Sequence, residues 1–171
     1  HNRRVAQLCV QIGRQMGMSA TELRVLARSG LLHDVGKLGI PDVILEKQGP
    51  LDESETAVMK THPEIGVGIL KRGGHFKREL LGVLYHHERM DGSGYPHGLQ
   101  SDAIPIEARI VAVADTFSAM TQVRPYAPAR TAEEALHELR RCAGSQFDVS
   151  VVAALETVLA AEGADALPRA A

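Results

Sequence analysis

Apolar residues recur at the helical period along nearly the whole chain, and this pattern constrains the fold more than any other feature. Leu8, Cys9, Ile12 and Met16 follow Val5 by 3, 4, 7 and 11 residues, which lines one face of a helix. Ser19 with Glu22 makes a capping box ahead of Leu23, Leu26, Ala27 and Leu31; side chain and backbone there satisfy each other's orphan amides at the helix start. Gly36, Gly39 and Pro41 break the pattern. Asp52 with Glu55, and Thr131 with Glu134, repeat the capping signal. Pro63 suits the first turn of a helix that carries Ile65, Ile69 and Leu70 and stops at Gly73-Gly74. A helix is predicted from about Lys77 to Glu88, with Leu80, Val83, Leu84 and His87 on one side. Another runs from Pro105 through Asp115 to about Thr121, and a last one, capped by Asp148, carries Val151, Val152, Leu155, Val158 and Leu159.

Ile110 to Ala114 would pass as a strand by residue type, but no partner strand exists in the chain, so it reads as buried helix. The expectation is an all-α, bundle-like domain of about seven or eight helices. It covers residues 1–161, with a frayed Ala-rich tail over 162–171. A chain of 171 residues can bury a core without staples. It begins at His1, already inside a helical pattern, and so reads as part of a longer protein with its regulatory region upstream.

Charge narrows the function. With 19 basic and 21 acidic side chains the net charge is -2, which argues against a binder of DNA or RNA polymers. No apolar run reaches the roughly 18 residues of a membrane span, so no membrane contact by this domain is expected. Cys9 and Cys142 sit on apolar helix faces, read as small buried hydrophobes in a reducing, cytoplasmic setting.

Of the eight histidines, His33 is followed directly by Asp34 and His86 by His87, and each pair closes an apolar helical run. Imidazole and carboxylate suit iron, manganese or zinc. A carboxylate such as Asp34 can bridge two metals at the roughly 3.5–4 Å that two-metal hydrolysis uses. His87 shares a face with Leu80 and Leu84 and is expected to look into the core. Asp115 follows five apolar residues, where an unpaired carboxylate would be costly. Any one of these side chains alone is more often an ordinary core or surface residue; it is their joint occurrence that points to a metal cluster. Lys37 stands three residues after Asp34, and spacing leaves open whether it meets a phosphate or only solvent. The stretch from Asp91 to Gly94 is an ordinary turn by composition, but its place beside the histidine pair favours a substrate loop.

His33-Asp34-Val35-Gly36-Lys37, His62-Pro63-Glu64, His86-His87-Glu88-Arg89, Asp91 to Pro96 and Ala114-Asp115-Thr116-Phe117 together resemble the HD-GYP domain, from His1 to about Asp148. The Gly-Tyr-Pro loop separates that family from the broader HD phosphohydrolases. The resemblance implies an all-α HD-domain fold and a cluster of two, or in some members three, divalent metals. It implies hydrolysis of the bacterial messenger cyclic di-GMP by a metal-bridging hydroxide, giving linear pGpG and, in a second round, GMP. His33, Asp34, His62, His86, His87 and Asp115 would be ligands, with Asp34 bridging. His1 matches a ligand of three-metal members, conditional on an upstream glutamate that lies outside this chain. Lys37 matches the phosphate-stabilising lysine, Gly94, Tyr95 and Pro96 the substrate-side loop, and Arg124 a residue that binds guanine or phosphate. Ser118 stands where Asp is common, Val123 where Asp usually precedes Arg-Pro-Tyr, and Ala127 where a basic residue is usual. An upstream sensor or receiver domain follows from family habit, and a homodimer through the first helix is a separate expectation, although the apolar stripe of that helix is no wider than packing within the chain requires. The rival readings are a nucleotide-sensing or protein-docking module without turnover, and a hydrolase of another phosphoester.

Overall fold

The computed structural model describes residues 1–123 and 129–162. Among these, the helices are α1 (Asn2–Gln15), α2 (Ala20–Leu32), the single-turn α3 (Asp42–Leu45), α4 (Glu53–Met59), α5 (His62–Arg72), α6 (Glu79–Tyr85), α7 (Ile106–Met120), α8 (Ala132–Arg141) and α9 (Val149–Glu162). Short 3-10 turns cover Val35–Gly39 and Ser101–Ala103. No strand occurs among the described residues, only the isolated bridges Asp91 to Gln100 and Ala143 to Phe147. The all-α expectation holds, and the three capping boxes at Ser19, Asp52 and Thr131 are each formed on both sides.

The main core packs α1, α7 and α9 together. Val5, Leu8, Cys9 and Ile12 meet Ile110, Val111, Val113, Ala114 and Phe117 of α7 and Val151, Val152 and Leu155 of α9. Because α7 is enclosed on most sides, its apolar residues do not form a single stripe, which is why the segment from Ile110 to Ala114 looked strand-like. A smaller cluster of Val67, Leu70 and Val83, with Leu32, Val35 and Leu84 against it, joins the ends of α2, α5 and α6. Both cysteines are free; Cys9 is fully buried and Cys142 partly so, and burial pushes the Cys9 thiol well above its ordinary value.

Two sequence expectations shift in detail. Helix α6 ends at Tyr85 rather than near Glu88, so the helical spacing does not extend to His87. It is His86 that is buried, while His87 is only partly so. Asp115 likewise keeps 23% of its side chain exposed, since it lies on the open side of α7. The tail beyond residue 162 lies outside the described residues, as do Arg124 and Ala127. No described helix is long and apolar enough to cross a membrane.

Candidate metal centre

Three histidines are mounted by one device. His33 caps the C-terminus of α2, His86 caps that of α6, and His62 opens α5 just after α4 ends. The last carbonyls of a helix lack intrahelical partners. Here His33 Nδ1 lies 2.8 Å from the Gly30 carbonyl, His62 Nδ1 2.8 Å from that of Met59, and His86 Nδ1 2.8 Å from that of Val83. A carbonyl can only accept, so each Nδ1 carries the proton and donates it. Each Nε2 is thereby left as a lone pair directed away from its helix, the tautomer a metal needs.

Those lone pairs converge. His62, His86 and His87 present ligand atoms within 4.8 Å of one another, and so do His1, His33 and Asp115. Asp34 lies between the groups: its Oδ2 is 3.4 Å from His33 Nε2 and its Oδ1 is 3.4 Å from His62 Nε2. Asp115 Oδ1 is 3.7 Å from His33 Nε2 and 2.9 Å from His1 Nε2. His1 is steadied from behind by Gln122 and Ser118, 3.1 and 3.2 Å from its Nδ1. Structure thus brings together His1, His33, Asp34, His62, His86, His87 and Asp115.

Electrostatics favour cation binding. Burial, reinforced by neighbouring imidazoles, holds His86 well below the usual histidine range, and burial lowers His87 to about 4. Burial also lowers His62. These rings are neutral near pH 7, as ligation requires. Burial would lower His33 too, but the Asp34 and Asp115 carboxylates outweigh it and raise its pKa. Asp34 is driven the other way: burial raises its pKa, yet His33 and Lys37 more than offset that and keep it ionised. His33 Nε2 is buried without a hydrogen-bond partner, a costly state that a cation would relieve. The donor set, nitrogen with carboxylate oxygen, fits iron, manganese or zinc.

Lys37, within the 3-10 turn, places its Nζ 2.6 Å from Asp34 Oδ2. Above the centre, the Gly94-Tyr95-Pro96 loop closes tightly: a Cβ on Gly94 would come 2.5 Å from the Arg89 nitrogen and 2.6 Å from the His87 carbonyl. Tyr95 stacks on His87 with ring centroids 4.7 Å apart. The buried Glu88 carboxylate accepts the His97 and Leu99 amides at 2.7 and 3.0 Å and ties the loop down. Spacing gave no sign of Glu88, Ser118 or Gln122; Glu88 and Ser118 entered only through the family motifs, and Gln122 had no signal.

Two cavities open on the centre. One, of about 650 Å³, is lined by His1, Lys37, Asp115, Arg130 and Gln146 among others. The other, of about 410 Å³, lies on the loop side and includes Lys60, His87, Arg89, Tyr95 and Asp115. A further cavity of about 440 Å³ lies along α1 beside Arg4, Leu8 and Arg14, and no histidine or carboxylate is among the described residues lining it.

The family model described as HD domain matches residues 1–151. The cyclic di-GMP phosphodiesterase response regulator RpfG of Xanthomonas campestris pv. campestris is 46% identical over 154 residues, covering 89% of this chain and 41% of that protein. The 3′3′-cGAMP-specific phosphodiesterase 2 of Vibrio cholerae is 43% identical over 157 residues, covering 89% of this chain and 30% of that protein. The chain therefore spans well under half the length of these curated relatives. An HDG"Y"P protein from Bdellovibrio bacteriovorus superposes with a TM-score of 0.74 at 22% identity, over 94% of this chain and 51% of that one, a likeness of fold. The matched domain and the His33-Asp34 and Gly94-Tyr95-Pro96 motifs agree: this chain belongs to the HD domain family, in its HD-GYP branch.

Proposed function

We propose that this domain hydrolyses the 3′-5′ phosphodiester bonds of cyclic di-GMP, giving linear pGpG and then GMP, in a cytoplasmic protein with a sensor domain upstream. The observation that carries this reading is the position of Asp34, with one carboxylate oxygen toward each histidine group. The name of the Xanthomonas relative supports the choice of substrate.

His33, Asp34, His62, His86, His87 and Asp115 would hold two divalent ions, with His1 serving a third where a further ligand is supplied. Bound there, iron or manganese would act as Lewis acids and lower the pKa of a coordinated water. This chain's own residues do the rest. Asp34 joins the two halves of the centre and is held in place by Lys37. The Lys37 ammonium offsets charge that builds on the non-bridging phosphate oxygens. The three carbonyl-anchored imidazoles keep their orientation throughout, so little reorganisation is needed during reaction. Tyr95 covers His87 and forms the wall along which substrate enters.

A second reading, hydrolysis of 3′3′-cGAMP, is favoured by the name of the Vibrio relative. The test loads the protein with Fe(II) or Mn(II) without oxygen and follows cyclic di-GMP and 3′3′-cGAMP by chromatography. Turnover of cyclic di-GMP to pGpG is expected. Faster turnover of 3′3′-cGAMP would select the second reading. Nucleotide binding with no turnover of either would make the domain a sensing module.

A further inference from the structure

A cyclic dinucleotide carries two phosphodiesters, and while one is being cleaved the other still needs a cationic partner in the same groove. The two cavities at the centre share His87 and Asp115 but differ in charge. On the α8 side, the Arg130 cation shares its cavity with the Glu138 carboxylate, which Arg141 also pairs, so its field is opposed in part. On the loop side the cations are Lys60 and Arg89. Arg89 is committed to its own loop, donating to Asp91 and Ser93. Glu88, the buried acid on that side, is occupied by the His97 and Leu99 amides. Lys60 has no ion pair among the described residues, and its Nζ lies 5.5 Å from the centroid of the Tyr95 ring that stacks on His87. An ammonium without an ion pair among the described residues thus stands one aromatic ring away from the metal-ligand set, in a cavity of about 410 Å³ that opens onto it.

We propose that Lys60 is a substrate-binding residue that contacts the second, non-scissile phosphate of a cyclic dinucleotide lying across His87 and over Tyr95. This rests on the proposed cyclic-dinucleotide activity and adds to it the direction in which substrate lies. Lys37 and Lys60 would then divide the labour, one at each phosphate. Lys60 follows the end of α4 and is exposed, so its replacement leaves the core untouched.

The test compares Lys60→Met and Lys60→Arg with the wild type, all loaded with Mn(II), after circular dichroism and metal analysis of each. Calorimetry measures Kd for a non-hydrolysable phosphorothioate analogue of cyclic di-GMP. Kinetics are measured with cyclic di-GMP and with bis(p-nitrophenyl) phosphate, which has a single phosphodiester. Lys60→Met is expected to weaken analogue binding and raise KM for cyclic di-GMP about tenfold, as loss of one charge-assisted contact would, with kcat moved much less. Lys60→Arg should recover most of that loss. The preference for cyclic di-GMP over bis(p-nitrophenyl) phosphate should fall about tenfold in Lys60→Met. Unchanged Kd in Lys60→Met, or an equal loss on both substrates, overturns the proposal while leaving the domain's activity standing. A wild type that cleaves bis(p-nitrophenyl) phosphate but neither binds nor cleaves cyclic di-GMP overturns the activity reading and Lys60's role with it.

Discussion

Gly36 lies against the carbonyl oxygen of His62 so closely that no Cβ fits between them. The Gly66 amide closes the same space. This backbone contact docks the 3-10 turn on the start of α5 and sets Asp34 and Lys37 beside His62. The neighbours are backbone and cannot swing aside as a side chain could. Gly36→Ala is therefore expected to destabilise the fold by about 1–3 kcal/mol or more and to lower metal occupancy together with stability. Chemical denaturation and metal analysis of the same sample check this. Full metal content at wild-type stability would show that the turn can move without cost.

Asp34→Asn keeps the side chain's shape but removes the charge that faces both histidine groups. Loss of at least one metal equivalent and a fall in phosphodiesterase activity of at least about a hundredfold are expected. Elemental analysis beside a kinetic assay measures both. Retention of the full metal complement would remove Asp34 from its bridging role.

Tyr95 contributes a ring stacked on His87, and such pairs are worth about 0.5–1.5 kcal/mol beyond burial. Tyr95→Ala should lower kcat/KM by about three- to tenfold, and Tyr95→Phe, which keeps the ring, should cost less. Equal losses in the two variants would shift the importance from the ring to the hydroxyl.

Acid stability should depend on Asp148, which is outside the histidine and carboxylate clusters. Its carboxylate accepts from Arg109 Nη1 at 2.9 Å and from the Ser150 amide and hydroxyl, both at 2.7 Å. Burial raises its pKa, but these partners outweigh burial and leave it below the ordinary carboxylate value. A depressed pKa stabilises the fold above the unfolded value, near 3.9, and that contribution is lost as pH falls through the folded value. Asp148→Asn should therefore cost about 1–3 kcal/mol near neutrality, and the gap from wild type should narrow below about pH 4. Urea unfolding at several pH values reads this directly; a gap independent of pH would contradict the assignment.

The sequence by itself determined the helices and most of the residue types at the candidate centre. The stripe from Val5 to Met16 and the capping boxes at Ser19, Asp52 and Thr131 encode local structure in neighbouring residues, and the structure forms all three boxes. His33-Asp34 and His86-His87 were visible because adjacent donor side chains at the end of an apolar run are a local signal. Tertiary structure alone decided how those side chains face one another. His1 reaches Asp115 across 114 residues and Ser118 across 117, and no periodicity within one helix specifies such a register between helices. The same reason explains His86, which proved more buried than His87 because α6 stops at Tyr85 and the pattern loses its phase. It also explains Glu88, Gln122 and Lys60, whose parts depend on where a distant loop or helix end is packed. Residue type and spacing supplied the chemistry, and helix packing turned it into a single centre with a groove on either side.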